Sequence, residues 1–318
     1  MTMTLASTRT RTVHLYQERP LRLEGGAGVQ NVRVAYRTWG RLNPERDNTL
    51  LILHALTGDA QADCWWPCMF GEGKALDPEQ HFLICANVIG GCAGSSTSAE
   101  LGHDPSIFDM AEVQRELLDF LGVPRARVIG GSMGGMLALA LLTRFPGRVE
   151  KAVVIGAPAR QSPWATGWNV AARAALDLDP VRGLEVARQI AMLSYRSPAS
   201  FALTQSGESR VKSGERAITT YLEHQGEKLR RRFTPEAYRC LTRAMDAFEV
   251  DDATLRQNAV PTLAVGISSD ELYPASEVRR LADKLARSTY WELDSPHGHD
   301  AFLIDACGLE ARVRAFLG

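Results

Sequence analysis

The sequence predicts an α/β protein in which a mostly parallel central sheet is interrupted by an inserted helical lid. Short apolar runs recur along the chain and alternate with stretches of helical periodicity, the pattern of an α/β fold. This alternation stops between about residues 160 and 257, where helix-forming and charged residues continue without a buried strand. We therefore expect residues 1–159 and 256–318 to form the core and residues 160–255 to form the lid.

The individual elements follow from the period of the apolar residues. Runs that are apolar on both faces predict buried parallel strands at 49–53, 82–86, 127–129, 151–155 and 262–265, followed by a strand at 290–293. The alternation of Val32, Val34 and Tyr36 predicts an antiparallel edge strand. Helical periodicity predicts helices at 110–121, 133–144, 183–195 and near 309–316, while the polar segment 205–216 is expected to be a mobile loop.

Composition limits the classes of function. The 318 residues are 45% hydrophobic, and 36 Lys plus Arg against 37 Asp plus Glu give a net charge of −1. Such a chain has no large single-sign field to attract nucleic acid or anionic lipid, so a small-molecule substrate is expected. We find neither a signal peptide nor a membrane span in the sequence and expect a cytoplasmic protein.

The six cysteines do not suggest a disulfide framework, because they are few and scattered in a long chain. We expect all six to be reduced. Cys64 and Cys68 have the spacing of half a zinc site, but no second Cys or His pair follows at a suitable distance. The sequence therefore predicts no metal site.

Ser132 is the predicted nucleophile. It lies in the turn Gly130-Gly131-Ser132-Met133-Gly134, after an apolar strand and before an apolar helix. Small residues at the flanking positions allow a sharp strand-to-helix turn, and the N-terminal N–H groups of the helix then lie beside the serine oxygen. A glycine-rich turn that only binds phosphate or packs is the structural alternative. With the partners described next, the pattern predicts an α/β-hydrolase fold with a Ser-His-Asp triad.

A base and an orienting carboxylate are expected downstream of the serine, in the order Ser, Asp or Glu, His. His299 is the favoured base, since it lies on a loop after the strand at 290–293 and before an apolar segment; His297 is expected to be its neighbour, and His224 lies in the polar lid. Asp270 follows the strand at 262–265 and is favoured over Glu271.

Several segments together resemble the homoserine O-acetyltransferase family. They are residues 53–59, 87–96, 130–136, 221–226, 241–246 and 298–303, and the likeness extends from about Val32 to the end of the chain. The resemblance implies transfer of an acetyl group from acetyl-CoA to the side-chain hydroxyl of L-homoserine, by ping-pong kinetics and with no further cofactor, in a homodimer. It also implies an oxyanion hole formed by the backbone amides of Leu56 and Met133.

The same resemblance assigns the acceptor site to two charged residues. The family's arginine in the Gly-Leu-x-x-Ala-Arg segment matches Arg188, and its acidic residue after the histidine matches Asp300. A guanidinium suits a carboxylate and an acid suits an ammonium group. A solvated helix charge at Arg188 and a helix cap at Asp300 are the structural alternatives.

One segment departs from the family and leaves alternatives open. Many relatives have a longer linker where this chain has the short segment 177–183. Succinyl-CoA as donor and serine as acceptor therefore remain alternatives within the family. A carboxylic-ester hydrolase and a catalytically inactive binding protein on the same fold are the alternatives outside it.

Overall fold

A computed structural model describes residues 9–318 of the chain. The strands are β1 (Arg11–Leu15), β2 (Leu21–Arg22), β3 (Gly28–Val29), β4 (Val32–Trp39), β5 (Thr49–Leu53), β6 (Phe82–Ala86), β7 (Ala126–Gly131), β8 (Val149–Ile155), β9 (Thr262–Ile267) and β10 (Ser288–Leu293). The helices of the core are α1 (Ala62–Trp65), α2 (Ser98–Leu101), α3 (Ile107–Phe120), α4 (Met133–Arg144), α11 (Ala275–Lys284), α12 (Ala301–Ile304) and α13 (Ala306–Leu317). The remaining helices, α5 to α10, lie between β8 and β9.

Eight strands form one sheet in the order β1-β4-β6-β5-β7-β8-β9-β10. The pairs β1–β4 and β4–β6 are antiparallel, and every later pair is parallel. Strand β5 is buried at all five positions, as its uninterrupted apolar sequence predicts. The predicted α/β-hydrolase architecture with a mostly parallel sheet is confirmed.

Strand β4 corrects the prediction of an edge strand. The antiparallel direction is right, but β1 pairs with β4 along its outer side and becomes the edge itself. The sequence 11–15 does not show this, because its first two residues are exposed and only Val13 and Leu15 are buried. A short half-exposed strand gives too few alternations to be detected by period.

The segment between β8 and β9 is helical, as predicted. It contains α5 (Pro163–Leu178), α6 (Pro180–Tyr195), α7 (Pro198–Thr204), α8 (Ala217–Arg230), α9 (Pro235–Asp246) and α10 (Asp252–Gln257). Proline stands at the first turn of four of these helices, where its missing N–H costs nothing. Helix α10 extends across the predicted boundary at residue 255.

The expectation of six reduced cysteines is wrong for two of them. Cys68 and Cys307 form a disulfide across 239 residues of sequence, with their Cα atoms 5.1 Å apart. Cys64, Cys85, Cys92 and Cys240 are free. The sequence concealed this pair because only the packing of α13 against the segment after α1 brings the two residues together. Among residues 9–318, no helix is long and apolar enough to cross a bilayer.

Candidate active site

Ser132 lies between β7 and α4 in a backbone conformation that side chains rarely adopt, with φ 58° and ψ −125°. The flanking glycines make this geometry possible. A Cβ atom on Gly134 would lie 2.1 Å from the carbonyl oxygen of Leu53, and one on Gly130 would lie 2.2 Å from the carbonyl oxygen of Gly134. Only glycine at these positions lets α4 approach β5 and β7 closely enough to form the turn.

His299 and Asp270 form a buried pair. The imidazole Nδ1 lies 2.7 Å from Asp270 Oδ2, and both side chains are almost fully buried. The second oxygen of Asp270 accepts hydrogen bonds of 2.9 Å from the backbone amides of Leu272 and Tyr273. These two bonds fix the carboxylate, which in turn fixes the ring orientation of His299 and places a proton on Nδ1.

The second ring nitrogen of His299 faces the interior without a partner. Nε2 is buried and makes no hydrogen bond within residues 9–318. Burial alone would lower the pKa of His299, but the charge and hydrogen bond of Asp270, with the charge of Asp300, outweigh it and raise the pKa above its usual value. The imidazole is thus a stronger base than in water.

Ser132 and His299 are neighbours, although no hydrogen bond joins them in the described structure. A Cβ on Gly131 would lie 2.7 Å from the ring of Phe302, and that ring lies 5.7 Å from the ring of His299. On the other side, the Ser132 amide donates a hydrogen bond of 2.9 Å to the carbonyl oxygen of Ile155. The residue after Ile155 is Gly156, and a Cβ atom placed on it would lie 3.5 Å from Nδ1 of His299. Catalytic hydrogen bonds often tighten only when the substrate binds.

The alternatives for the base and the acid lie elsewhere. Glu271 is exposed, and its carbonyl oxygen accepts a hydrogen bond from the indole of Trp164. His297 Nδ1 lies 2.9 Å from Ser200 Oγ on α7, and His224 is exposed on α8. Of the alternatives weighed from the sequence, only His299 and Asp270 are brought together beside Ser132.

The two residues expected to form an oxyanion hole lie in different segments of the chain, one directly after Ser132 and the other after β5. Met133 is the first residue of α4, and Leu56 lies in a turn after β5 that the hydrogen bond from the Gly58 amide to the Ala55 carbonyl closes at 2.8 Å. Within the described part of the chain, neither amide donates a hydrogen bond to protein. Both remain available to an oxyanion.

A buried histidine holds the turn after β5. His54 Nδ1 lies 2.9 Å from the Ala55 carbonyl, and its Nε2 accepts a hydrogen bond of 3.2 Å from the Val88 amide. These partners require a neutral ring with its proton on Nδ1. Burial lowers the pKa of His54, which favours the same form. The sequence showed His54 only as part of a motif and gave no reason for its position.

Arg188 and Asp300 approach the site from two elements. The guanidinium carbon of Arg188 lies 5.6 Å from the ring centre of Tyr195, and that ring lies 5.7 Å from the ring of His299. Burial raises the pKa of Asp300, against the opposing attraction of Arg188, His299 and Arg196. No ion pair joins Arg188 to Asp300 in the described structure. The anion thus lies next to the imidazole, and the cation lies beside the tyrosine ring that contacts it.

Two aromatic residues at the site were missed by sequence reasoning. Tyr195, at the end of α6, lies between Arg188 and His299, and burial raises its pKa to about 12. Tyr273 follows Asp270 and lies 5.1 Å from the His299 ring. Neither belongs to a pattern that distinguishes it from an ordinary core aromatic. Within residues 9–318, no cluster of three or more His, Cys, Asp or Glu side chains is arranged to hold a metal.

Comparison with known proteins gives the family. A family model described as the alpha/beta hydrolase fold matches residues 48–306. The homoserine O-acetyltransferase of Deinococcus radiodurans is 56% identical over 313 residues, which are 96% of this chain and 92% of that protein.

Solved structures agree on the fold. The homoserine O-acetyltransferase of Staphylococcus aureus superposes with a TM-score of 0.82 at 27% identity, covering 98% of this chain and 95% of that one. Esterase E22 shares the fold alone, at 21% identity and a TM-score of 0.85, with 98% and 100% of the two chains covered. With the geometry above and more than half of its residues identical to the Deinococcus protein, the chain belongs to the homoserine O-acetyltransferase family.

Proposed function

We propose that the protein transfers an acetyl group from acetyl-CoA to the side-chain hydroxyl of L-homoserine through an ester on Ser132. The observation that carries this proposal is the separated pair of Arg188 and Asp300 beside His299. An amino acid has a carboxylate and an ammonium group, and these two side chains offer each a partner of opposite charge. Water as an acceptor needs neither.

The first half-reaction forms the acyl-enzyme. Ser132 Oγ attacks the thioester carbonyl while His299 Nε2 takes the hydroxyl proton, and the amides of Leu56 and Met133 bind the oxygen that becomes negative. Collapse of this tetrahedral intermediate breaks the carbon–sulfur bond. His299 returns its proton to the sulfur, and CoA leaves as the free thiol.

The second half-reaction reverses these roles. Arg188 binds the homoserine carboxylate and Asp300 binds its ammonium group, which directs the side-chain hydroxyl toward the ester. His299 Nε2 removes the hydroxyl proton as the oxygen attacks the acetyl carbonyl. The bond to Ser132 Oγ then breaks, and His299 returns the proton to the serine. Because CoA leaves before homoserine reacts, the kinetics are ping-pong.

An esterase is the second candidate, because esterase E22 has the same fold at a similar TM-score. The two functions differ in what accepts the acetyl group. We expect the purified protein to release CoA thiol from acetyl-CoA continuously only when L-homoserine is present, with double-reciprocal plots that are parallel. Rapid continuous thiol release without an acceptor would refute the transferase.

Donor and acceptor are decided by the same assay. Acetyl-CoA is compared with succinyl-CoA, and L-homoserine with L-serine, at equal concentrations. We expect at least tenfold higher kcat/KM for the acetyl and homoserine pair. Ser132→Ala serves as the control and should release no thiol above background, because no acyl-enzyme can form.

We also propose a cytoplasmic homodimer whose interface involves the lid. Several apolar side chains of α5 and α6 are exposed, among them Val170 at 52%, Leu178 at 89% and Val181 at 60%. Exposed apolar side chains grouped on neighbouring helices are typical of a contact surface. The expected mass in solution, measured by light scattering, is twice 34.9 kDa, and a monomer mass would refute the dimer.

A further inference from the structure

A lid arginine contacts the turn that carries the Leu56 amide. Arg232 follows α8, and its Nη1 donates a hydrogen bond to the Thr57 carbonyl oxygen, while Nη2 lies 3.5 Å from Thr57 Oγ1. The contact joins residues 175 positions apart. Leu56 and Thr57 are the two central residues of the turn closed by Gly58 and Ala55.

The two arginines before Arg232 each form an ion pair with a glutamate. Arg230 pairs with Glu185, and Arg231 pairs with Glu227 one turn earlier on the same helix. Arg232 forms no ion pair with a carboxylate in the part of the chain that the structure describes; both of its contacts are to Thr57. A guanidinium that donates to a backbone carbonyl oxygen, with no acid to neutralise it, can hold that backbone in place.

The segment that carries Arg232 is itself anchored to the core. Phe233 is buried, and the thiol of Cys92, in the loop after β6, donates a weak hydrogen bond of 3.7 Å to the Arg232 carbonyl oxygen. Three hydrogen bonds therefore hold the turn after β5. The Gly58 amide and the His54 ring both contact the Ala55 carbonyl oxygen, and the Arg232 guanidinium donates to the Thr57 carbonyl oxygen. The first two come from the core and the third comes from the lid.

We propose that Arg232 is a positioning residue for acyl transfer, which couples the lid to the oxyanion hole by holding the peptide after Thr57 so that the Leu56 amide points at the reacting carbonyl. The inference rests on the proposed acyl-Ser132 chemistry but not on homoserine as the acceptor. Burial and the nearby charge of Arg188 also lower the pKa of Arg232. A misdirected oxyanion donor costs rate rather than ground-state affinity.

The test compares Arg232→Ala and Arg232→Lys with the control Arg231→Ala, which removes the same charge from the adjacent exposed position. Each variant is titrated with a fluorophosphonate that labels Ser132, so that rates refer to folded active sites. The first readout is acylation of Ser132 by p-nitrophenyl acetate, which requires the oxyanion hole whatever the natural acceptor is. The second is inhibition by an alkylboronic acid, whose tetrahedral adduct mimics the oxyanion.

We expect Arg232→Ala to lower the acylation rate per active site about 10- to 100-fold and to weaken boronate inhibition by a similar factor, with the homoserine KM changed less than threefold. Arg232→Lys, which keeps the charge and can still donate to one of the two Thr57 oxygens, should recover at least part of both losses, and Arg231→Ala should match the wild type. A homoserine KM that rises with an unchanged acylation rate would overturn the proposal, as would equal behaviour of Arg232→Ala and Arg231→Ala. If the wild type is acylated by the ester but homoserine does not accept the acetyl group, the proposed function fails while this test still stands.

Discussion

The strained backbone of Ser132 predicts that the nucleophile costs the protein stability. At φ 58° and ψ −125° a residue with a Cβ atom is strained by about 1–3 kcal/mol, whereas glycine is not. Ser132→Gly should therefore stabilise the fold, and Ser132→Ala should not, because alanine keeps the Cβ. Neither change breaks a hydrogen bond of the serine hydroxyl to protein, since Ser132 Oγ makes none in the described structure.

The size of the effect follows from the length of the chain. Glycine loses about 0.5–1 kcal/mol through its greater freedom in the unfolded state, and the midpoints of the two ranges leave a net gain of about 1.3 kcal/mol. An entropy of unfolding of about 2.1 cal/mol/K per residue converts this gain, for 318 residues, to a rise in Tm of about 2 °C.

The assay is calorimetry of three proteins under one condition: wild type, Ser132→Ala and Ser132→Gly. Both variants should be inactive in acyl transfer, so the difference between their Tm values reports the backbone strain less the entropy cost of glycine. We expect Ser132→Gly to melt above Ser132→Ala. Equal Tm values, or a higher Tm for Ser132→Ala, would refute the argument that this turn stores strain.

Four further predictions concern the site and its supports. Asp270→Asn should lower kcat roughly 10³- to 10⁴-fold. Because Asp270 raises the pKa of His299, the wild type should lose kcat/KM as the pH falls through a value above 6.5. The Asp270→Asn variant should lose kcat/KM at a lower pH. An acid limb of the pH profile that does not move would contradict the assignment of Asp270 as the partner of His299. Arg188→Ala should raise the homoserine KM about 10- to 100-fold, as expected for a lost charged hydrogen bond. Arg182 is exposed on the same helix, and Arg182→Ala should leave this KM unchanged. Equal effects of the two substitutions would exclude Arg188 as the carboxylate ligand. Gly134→Ala places a Cβ 2.1 Å from a backbone oxygen and should destabilise the fold by about 3 kcal/mol or more in denaturant titration. In Gly147→Ala the new Cβ would meet nothing within 4 Å, so the free energy of unfolding should change little. Similar losses in both variants would refute the steric argument. Thiol titration of the unfolded, unreduced protein should find four reactive groups, and six would show that Cys68 and Cys307 are not joined.

Much of the fold could be predicted because its signals are local. The buried strands at 49–53 and 82–86 have the bounds that their apolar runs predict, and α4 begins and ends at the predicted residues 133 and 144. The strand β1 escaped prediction because five half-exposed residues give little periodic signal. Helix α3 begins three residues before the predicted helix, because Ser106 and Asp109 form a capping box at its N-terminus.

Only those features of the site that depend on chain order and on the residues of the turn could be predicted from the sequence. Gly130-Gly131-Ser132-Met133-Gly134 pointed to Ser132 as the nucleophile, because a strained turn needs glycine at fixed offsets, and the ends of parallel strands pointed to Asp270 and His299. By itself the sequence thus determined the sheet, the turn and the residue types of the triad.

Tertiary structure alone decided several contacts outside the triad. Tyr195 lies between Arg188 and His299, Arg232 reaches Thr57 from the lid, and Cys68 pairs with Cys307. The contacts of Tyr195 with His299, of Arg232 with Thr57 and of Cys68 with Cys307 join residues that are distant in sequence. They follow from how helices of the lid or the C-terminus pack on loops of the sheet. Periodicity shows which face of an element is buried, but the partner on that face is set by packing across the whole chain.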